Sequence, residues 1–124
     1  MKREIKFRAY NKETGVKYSW EDILKLKNFY KLLTLSHVEM MKYTGIKDKN
    51  RTEIYEGDII KVSFIEEGKS PVCFFYKVEY KDFGFQLHHT LVDKNWGSLS
   101  RLFELRWETE IEVIGNIHEN KELI

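Results

Sequence analysis

A mainly β fold follows from three features of the sequence. Apolar and polar residues alternate with period two in several separate runs, aromatic side chains are abundant, and proline occurs once, at Pro71. Phe, Tyr and Trp make up 15% of the 124 residues, and such side chains suit a pleated, half-buried surface. One helical pattern keeps an α+β arrangement open. The length fits one domain over residues 1–124, in which folding buries roughly two thirds of the extended-chain surface. With a hydrophobic fraction of 42%, that is enough for a core without staples.

The first run sets Ile5, Phe7 and Ala9 against Lys6, Arg8 and Tyr10, the alternation of a half-buried strand. Asn11–Gly15 supplies a turn. Ser19 with Asp22 has capping-box spacing, and Ile23, Leu26, Tyr30 and Leu33 follow at helical intervals, so a helix is expected over 20–34. The Leu-Leu-Thr-Leu run at 32–35 suits a strand equally well, which leaves helix against strand open for 20–35. Thr44-Gly45 and Lys47–Arg51 read as a polar, turn-rich connection, in which Asn50 can take a left-handed conformation.

Glu56-Gly57-Asp58 makes a second turn before a strand over 59–65 whose Ile60, Val62 and Phe64 share a face. After a loop at 66–71, Val72, Phe74, Tyr76, Val78 and Tyr80 alternate with Cys73, Phe75, Lys77 and Glu79. A turn at 81–84 folds that strand back as a hairpin spanning 72–88. Leu99, Leu102 and Phe103 are spaced for a short helix at 98–104. The last strand, 107–114, sets Trp107, Thr109, Ile111 and Val113 against Glu108, Glu110 and Glu112. Gly115 within this apolar run predicts a bulge or a close backbone approach.

Composition excludes several classes. A single cysteine, Cys73, permits no internal disulfide and points to a reducing, cytoplasmic compartment. Its neighbours Val72, Phe74 and Phe75 predict a buried, inert thiol. The longest uncharged apolar run, 72–76, is far short of a membrane span. Net charge is +1, which removes the bulk electrostatic argument for nucleic acid. The charge is unevenly spread: residues 1–62 carry 14 Lys/Arg and 9 Asp/Glu, residues 63–124 carry 7 and 11. The polar face of the first strand carries Lys2, Glu4, Lys6 and Arg8 and that of the last Glu108, Glu110 and Glu112, so the two strands are expected side by side, two separate solvated faces being the alternative.

No constellation reaches a catalytic, cofactor-binding or metal-ligating site. His88 and His89 are adjacent in a strand and point to opposite faces, and His37 and His118 are distant in sequence. His118-Glu119 has the start of a zinc-protease helix motif, but Glu122 stands where a second histidine is needed. No nucleophile elbow or phosphate-cradling glycine loop is present, and Glu108 with Glu110 reads as a strand's polar face. Lys47, Lys49 and Arg51, with Tyr43 and Tyr55 nearby, form the best nucleic-acid candidate. Asp48, Glu53, Glu56 and Asp58 interleave with those cations, so a solvated hairpin with inward tyrosines is the preferred reading.

Tyr43-Thr44-Gly45-Ile46-Lys47-Asp48-Lys49-Asn50 and Glu53-Ile54-Tyr55-Glu56-Gly57-Asp58-Ile59-Ile60-Lys61-Val62 resemble the YopX family of small phage- and prophage-encoded proteins. Glu4–Tyr10 and Glu112–Asn120 resemble its opening and closing segments; stretches 16–38 and 65–105 do not match beyond general character. The family pattern has glycine after the turn asparagine where this chain has Arg51. Either the turn is longer than two residues, or Arg51 lies just outside the positive-φ position. The resemblance implies an SH3-type small barrel over about 55–118, after an N-terminal strand and connecting or helical segment in 1–50, and carries no functional residues. The expected role is non-enzymatic: an interaction module for a host or phage protein or for self-association, in the cytoplasm of a bacterial host. Nucleic-acid association is the alternative, and no cofactor, metal or membrane partner is expected.

Overall fold

The computed structural model describes residues 5–27, 31, 34–35, 37–81, 84–90, 94–98 and 108–120. Strand β1 (Phe7–Asn11) is followed by β2 (Lys17–Tyr18), helix α1 (Trp20–Leu24), β3 (Val38–Lys47) and β4 (Glu53–Tyr55). Then come β5 (Asp58–Ile65), β6 (Val72–Lys81), β7 (Gly84–His89), β8 (Lys94–Ser98) and β9 (Glu108–Asn116). All pairings are antiparallel. The first four strands form one sheet in the order β2-β1-β3-β4, and the rest form a second in the order β8-β7-β6-β5-β9. The fold is mainly β, and its sheets curl into a half-barrel. These ladders do not by themselves make it an SH3-type barrel.

The half-barrel holds the larger core. Ile54, Ile60, Val62, Tyr76, Val78, Leu87 and Ile111 are buried together, with Ile46, Phe64, Phe85 and Val113 packed around them. Ile60 and Val62 lie on the face that alternation assigned them, each removed from water and worth roughly 1.5–3 kcal/mol. A smaller cluster puts Ala9 of β1 and Ile23 of α1 beneath Phe7, Tyr18, Trp20, Val38 and Met40, while Ile54 of β4 is buried in the larger core.

The capping box forms as the spacing predicts. Ser19 accepts from the Asp22 backbone N–H, and the Asp22 carboxylate accepts from the Ser19 N–H. That hydrogen bond also holds the Asp22 carboxyl below its usual range. Helix α1 is nonetheless one turn long and ends at Leu24; within the expected span 20–34, Lys31 and Thr34 are helical again. Only Ile23 is buried on it, and Leu24 and Leu26 are exposed, so little apolar docking supports a longer α1. Tyr30 and Leu33 lie outside the described residues, as do 99–104 of the short helix expected at 98–104 and Trp107 of the last strand; Ser98 itself ends β8.

Three further expectations are corrected. β3 runs on through Thr44, Gly45 and Lys47, which were read as part of a connection. Gly45 absorbs a bulge there with a φ of 87°, where the register against β4 shifts. The N-terminal strand does not lie beside 107–114: β1 pairs with β2 and β3, and β9 pairs with β5. The cations find other carboxylates, Lys6 bonding Glu53 and Arg8 bonding Asp58. Cys73 is exposed, not buried, because β6 runs past the core at that end and the residues flanking the thiol are exposed with it.

Gly115 sits at the expected bulge, and what approaches it closely is a side chain. The β5–β9 register shifts between Ile59 and Ile60 opposite it, and a Cβ at Gly115 would lie 2.3 Å from Asn120 Oδ1.

Candidate functional site

The basic turn is built around a carboxylate. Asp48 is nearly buried, and its Oδ1 accepts from the backbone N–H groups of Asn50 and Thr52, each at 2.8 Å. Its Oδ2 accepts from Val113 of β9 at 2.9 Å, and the Lys49 N–H donates to Ile111 O. Burial alone would raise the Asp48 carboxyl, but the three N–H donors and Lys49 together hold it below the usual range. The loop therefore covers the outer edge of β9, which relieves an edge strand of its unpaired groups.

The turn is longer than two residues, and Arg51 itself takes the positive φ, 67°, with its N–H bonded to Asp48 O. Asn50 does not. With Asp48 already bonding two loop N–H groups, the left-handed step falls one residue later than local chemistry suggested.

The candidate nucleic-acid residues are largely engaged within the fold. Lys49 Nζ lies 3.5 Å from Glu110 and 3.2 Å from Glu112, and those carboxylates hold the ammonium pKa up. Lys47 stands opposite Glu53 in the β3–β4 ladder. Tyr43 and Tyr55 are buried, 5.3 Å apart between ring centroids. Lys6 Nζ sits over the Tyr43 ring at 5.5 Å, and the Arg8 guanidinium over Tyr55 at 4.9 Å. Burial, then the charge of Glu53, pushes the Tyr55 hydroxyl up to about 12.

Sequence reasoning missed the junction these cations make. Asp58, 1% exposed, accepts from Arg8 and from the Tyr55 N–H at 2.8 Å, so β1 of one sheet is tied to the first residue of β5 in the other. Burial raises the Asp58 carboxyl above the ordinary carboxylate range, against the pull of Arg8 and the Tyr55 N–H. Arg8 Nε is buried without a hydrogen-bond partner. The signal that could have found the pair was Asp58 itself, a charge directly preceding an apolar strand; its partner fifty residues away had no local signature.

Two cavities flank Arg8. One, about 220 Å³, lies against Tyr10, Lys17, His118 and Glu119; the other, about 380 Å³, lies against Lys6, Trp20, Glu53 and Tyr55. Both mix cations with carboxylates. His88 and His89 are consecutive in β7, and His37 lies 3.9 Å from Glu13. Among the described residues, no three His, Cys, Asp or Glu side chains gather at metal-binding distance. No helix among them is long and apolar enough to cross a membrane.

The model of the family described as YopX protein matches residues 6–124. Among solved structures, the crystal structure of protein EF1440 from Enterococcus faecalis is similar, with a TM-score of 0.61 and 22% identity. The match covers 98% of this chain and 99% of that one. At that identity the likeness concerns the fold. Nothing among curated proteins matches the chain.

Proposed function

The chain belongs to the YopX family, and we propose that it is a non-enzymatic interaction module whose ligand is another protein. The observation that carries this reading is the core-facing row of β6. Tyr76 and Val78 are 2% and 1% exposed, yet the same row continues at both ends as Val72 at 53% and Tyr80 at 43%. An apolar row that outruns its own core is the kind of surface a partner covers. The mixed charges around Arg8 and Asp48 fit scaffold joints better than a reaction centre. The family resemblance supports a phage- or prophage-encoded protein working in the cytoplasm of a bacterial host. The place of β5 between β6 and β9 supports reading the half-barrel as SH3-type.

The test is capture of a partner from phage-infected host cells by the wild-type chain and by Val72→Asp and Tyr80→Asp, with light scattering for self-association. Binding or assembly lost in either variant supports the reading. A wild-type monomer that captures nothing, or a partner held equally by both variants, removes it.

A second reading, nucleic-acid association, has one observation in its favour. Tyr80 packs edge-on against Phe85 at 5.0 Å, and Lys42 Nζ lies 5.1 Å from its ring centroid, placing a cation beside an exposed aromatic. Retention on single-stranded DNA that falls steeply with salt supports it; no retention at low salt ends it.

A further inference from the structure

We propose that the turn Asn116–Asn120 is a pH-responsive latch that holds the end of the half-barrel onto the N-terminal sheet. The turn is built by local hydrogen bonds. Asn116 Oδ1 accepts from the N–H groups of His118 and Glu119 at 3.0 and 2.9 Å, and Asn120 Oδ1 accepts from the Asn116 N–H at 3.1 Å. Gly115 leaves the space Asn120 occupies. This rigid turn projects two side chains across the junction. His118 stacks on Tyr10 of β1, with centroids 4.4 Å apart and planes 17° apart, and its Nε2 lies 2.8 Å from Glu39 Oε2 of β3. Glu119 pairs with Lys17 of β2 at 2.8 Å, a hydrogen bond that holds the carboxyl below its usual range.

The two contacts respond differently to pH. Only one of them involves an imidazole, the side chain that ordinarily titrates in the neutral range. Histidine alone changes charge there, and Glu39 attracts the ring only when it is an imidazolium. The groups around His118 are Arg8 and Tyr10 from β1, Lys17 and Tyr18 from β2, Glu39 from β3, and Glu119 of its own turn. Glu56 stands near enough to Glu39 to be raised by its charge, after burial. Arg8 and Lys17 oppose a charged ring, and Glu39, at contact distance, favours it. When the ring is charged, the latch is closed. As the ring deprotonates, the Glu39 contact weakens, and the side chains that wall the 220 Å³ cavity beside Arg8 are released.

Such a group stabilises the fold below its titration and loses that contribution as pH rises through it. Asp58 and Glu56, raised by burial, act in the same direction, so the reading is the difference between wild type and variant. Urea unfolding of the full chain at pH 5.5 and 8.0 measures it, for wild type, His118→Gln, Glu39→Gln and His37→Gln. We expect the wild-type unfolding constant to rise about tenfold more between the two pH values than that of His118→Gln or Glu39→Gln, the equivalent of one pH unit of differential protonation. His37→Gln should keep the wild-type dependence. If Glu39→Gln, whose site is half-exposed and tolerant, keeps it too, the latch is overturned, whether or not His118→Gln folds. The latch is equally overturned if wild-type stability does not change over this window.

Discussion

The two sheets are held by different forces. The half-barrel is an apolar core, with Ile59, Ile60, Val62 and Leu87 fully removed from water. The N-terminal sheet has only a small cluster of its own, Ala9 with Ile23 of α1; it joins the half-barrel by Ile54 and Ile46, which pack into the larger core, and by polar contacts: Arg8 to Asp58, Asp48 to Val113, Lys17 to Glu119, His118 to Glu39. Apolar burial is tolerant of direction, whereas each polar tie demands a particular partner. The half-barrel therefore owes its stability to area, and the N-terminal sheet owes its position to these polar ties together with Ile54 and Ile46.

The largest expected effect is at the junction. Asp58→Ala leaves Arg8 without its carboxylate and the Tyr55 N–H without an acceptor, and should cost about 3–5 kcal/mol in urea denaturation. The double variant Arg8→Met/Asp58→Leu should recover most of that loss; failure to recover would mean the pair's neighbours, not its charge, set the cost. Ile60→Ala should cost about 3–4 kcal/mol and Ile23→Ala nearer 2 kcal/mol, since the small cluster under α1 can collapse around the gap. Equal losses would contradict the contrast between the sheets.

Gly115→Ala should cost about 1–3 kcal/mol, because the added methyl meets Asn120 and pushes on the closing turn. The smallest effect is a gain. Arg51→Gly relieves a left-handed residue and should stabilise by at most about 1 kcal/mol in thermal or urea unfolding. Acidity sharpens the same contrast. Asp58 and Glu56 have raised folded pKa values, so they contribute stability that is full below the ordinary carboxylate range and is lost as pH rises through the raised values. A pH–stability profile of Asp58→Asn should show that decline reduced.

The strands of the half-barrel were legible because period-two alternation is a local signal: Ile60 and Val62 share a face in any sheet that buries one side. The capping box at Ser19 and Asp22 and the bulge at Gly115 were local in the same sense. β8 and the tiny β2 were not legible, since a short edge strand needs a neighbour more than a pattern. Cys73 was misplaced because apolar neighbours report hydrophobicity, and exposure depends on where the core ends.

The sequence by itself determined a β-rich chain, the period of its main strands, the turn at Glu56-Gly57 and the excess of cations in its first half. Only the tertiary structure decided which carboxylates those cations meet. A charge attracts every opposite charge at long range and discriminates among them only at contact. The choice of Glu53 and Asp58 over Glu108–Glu112 was therefore made by backbone pairing, which placed β1 against β3 and gave the glutamates of β9 to Lys49.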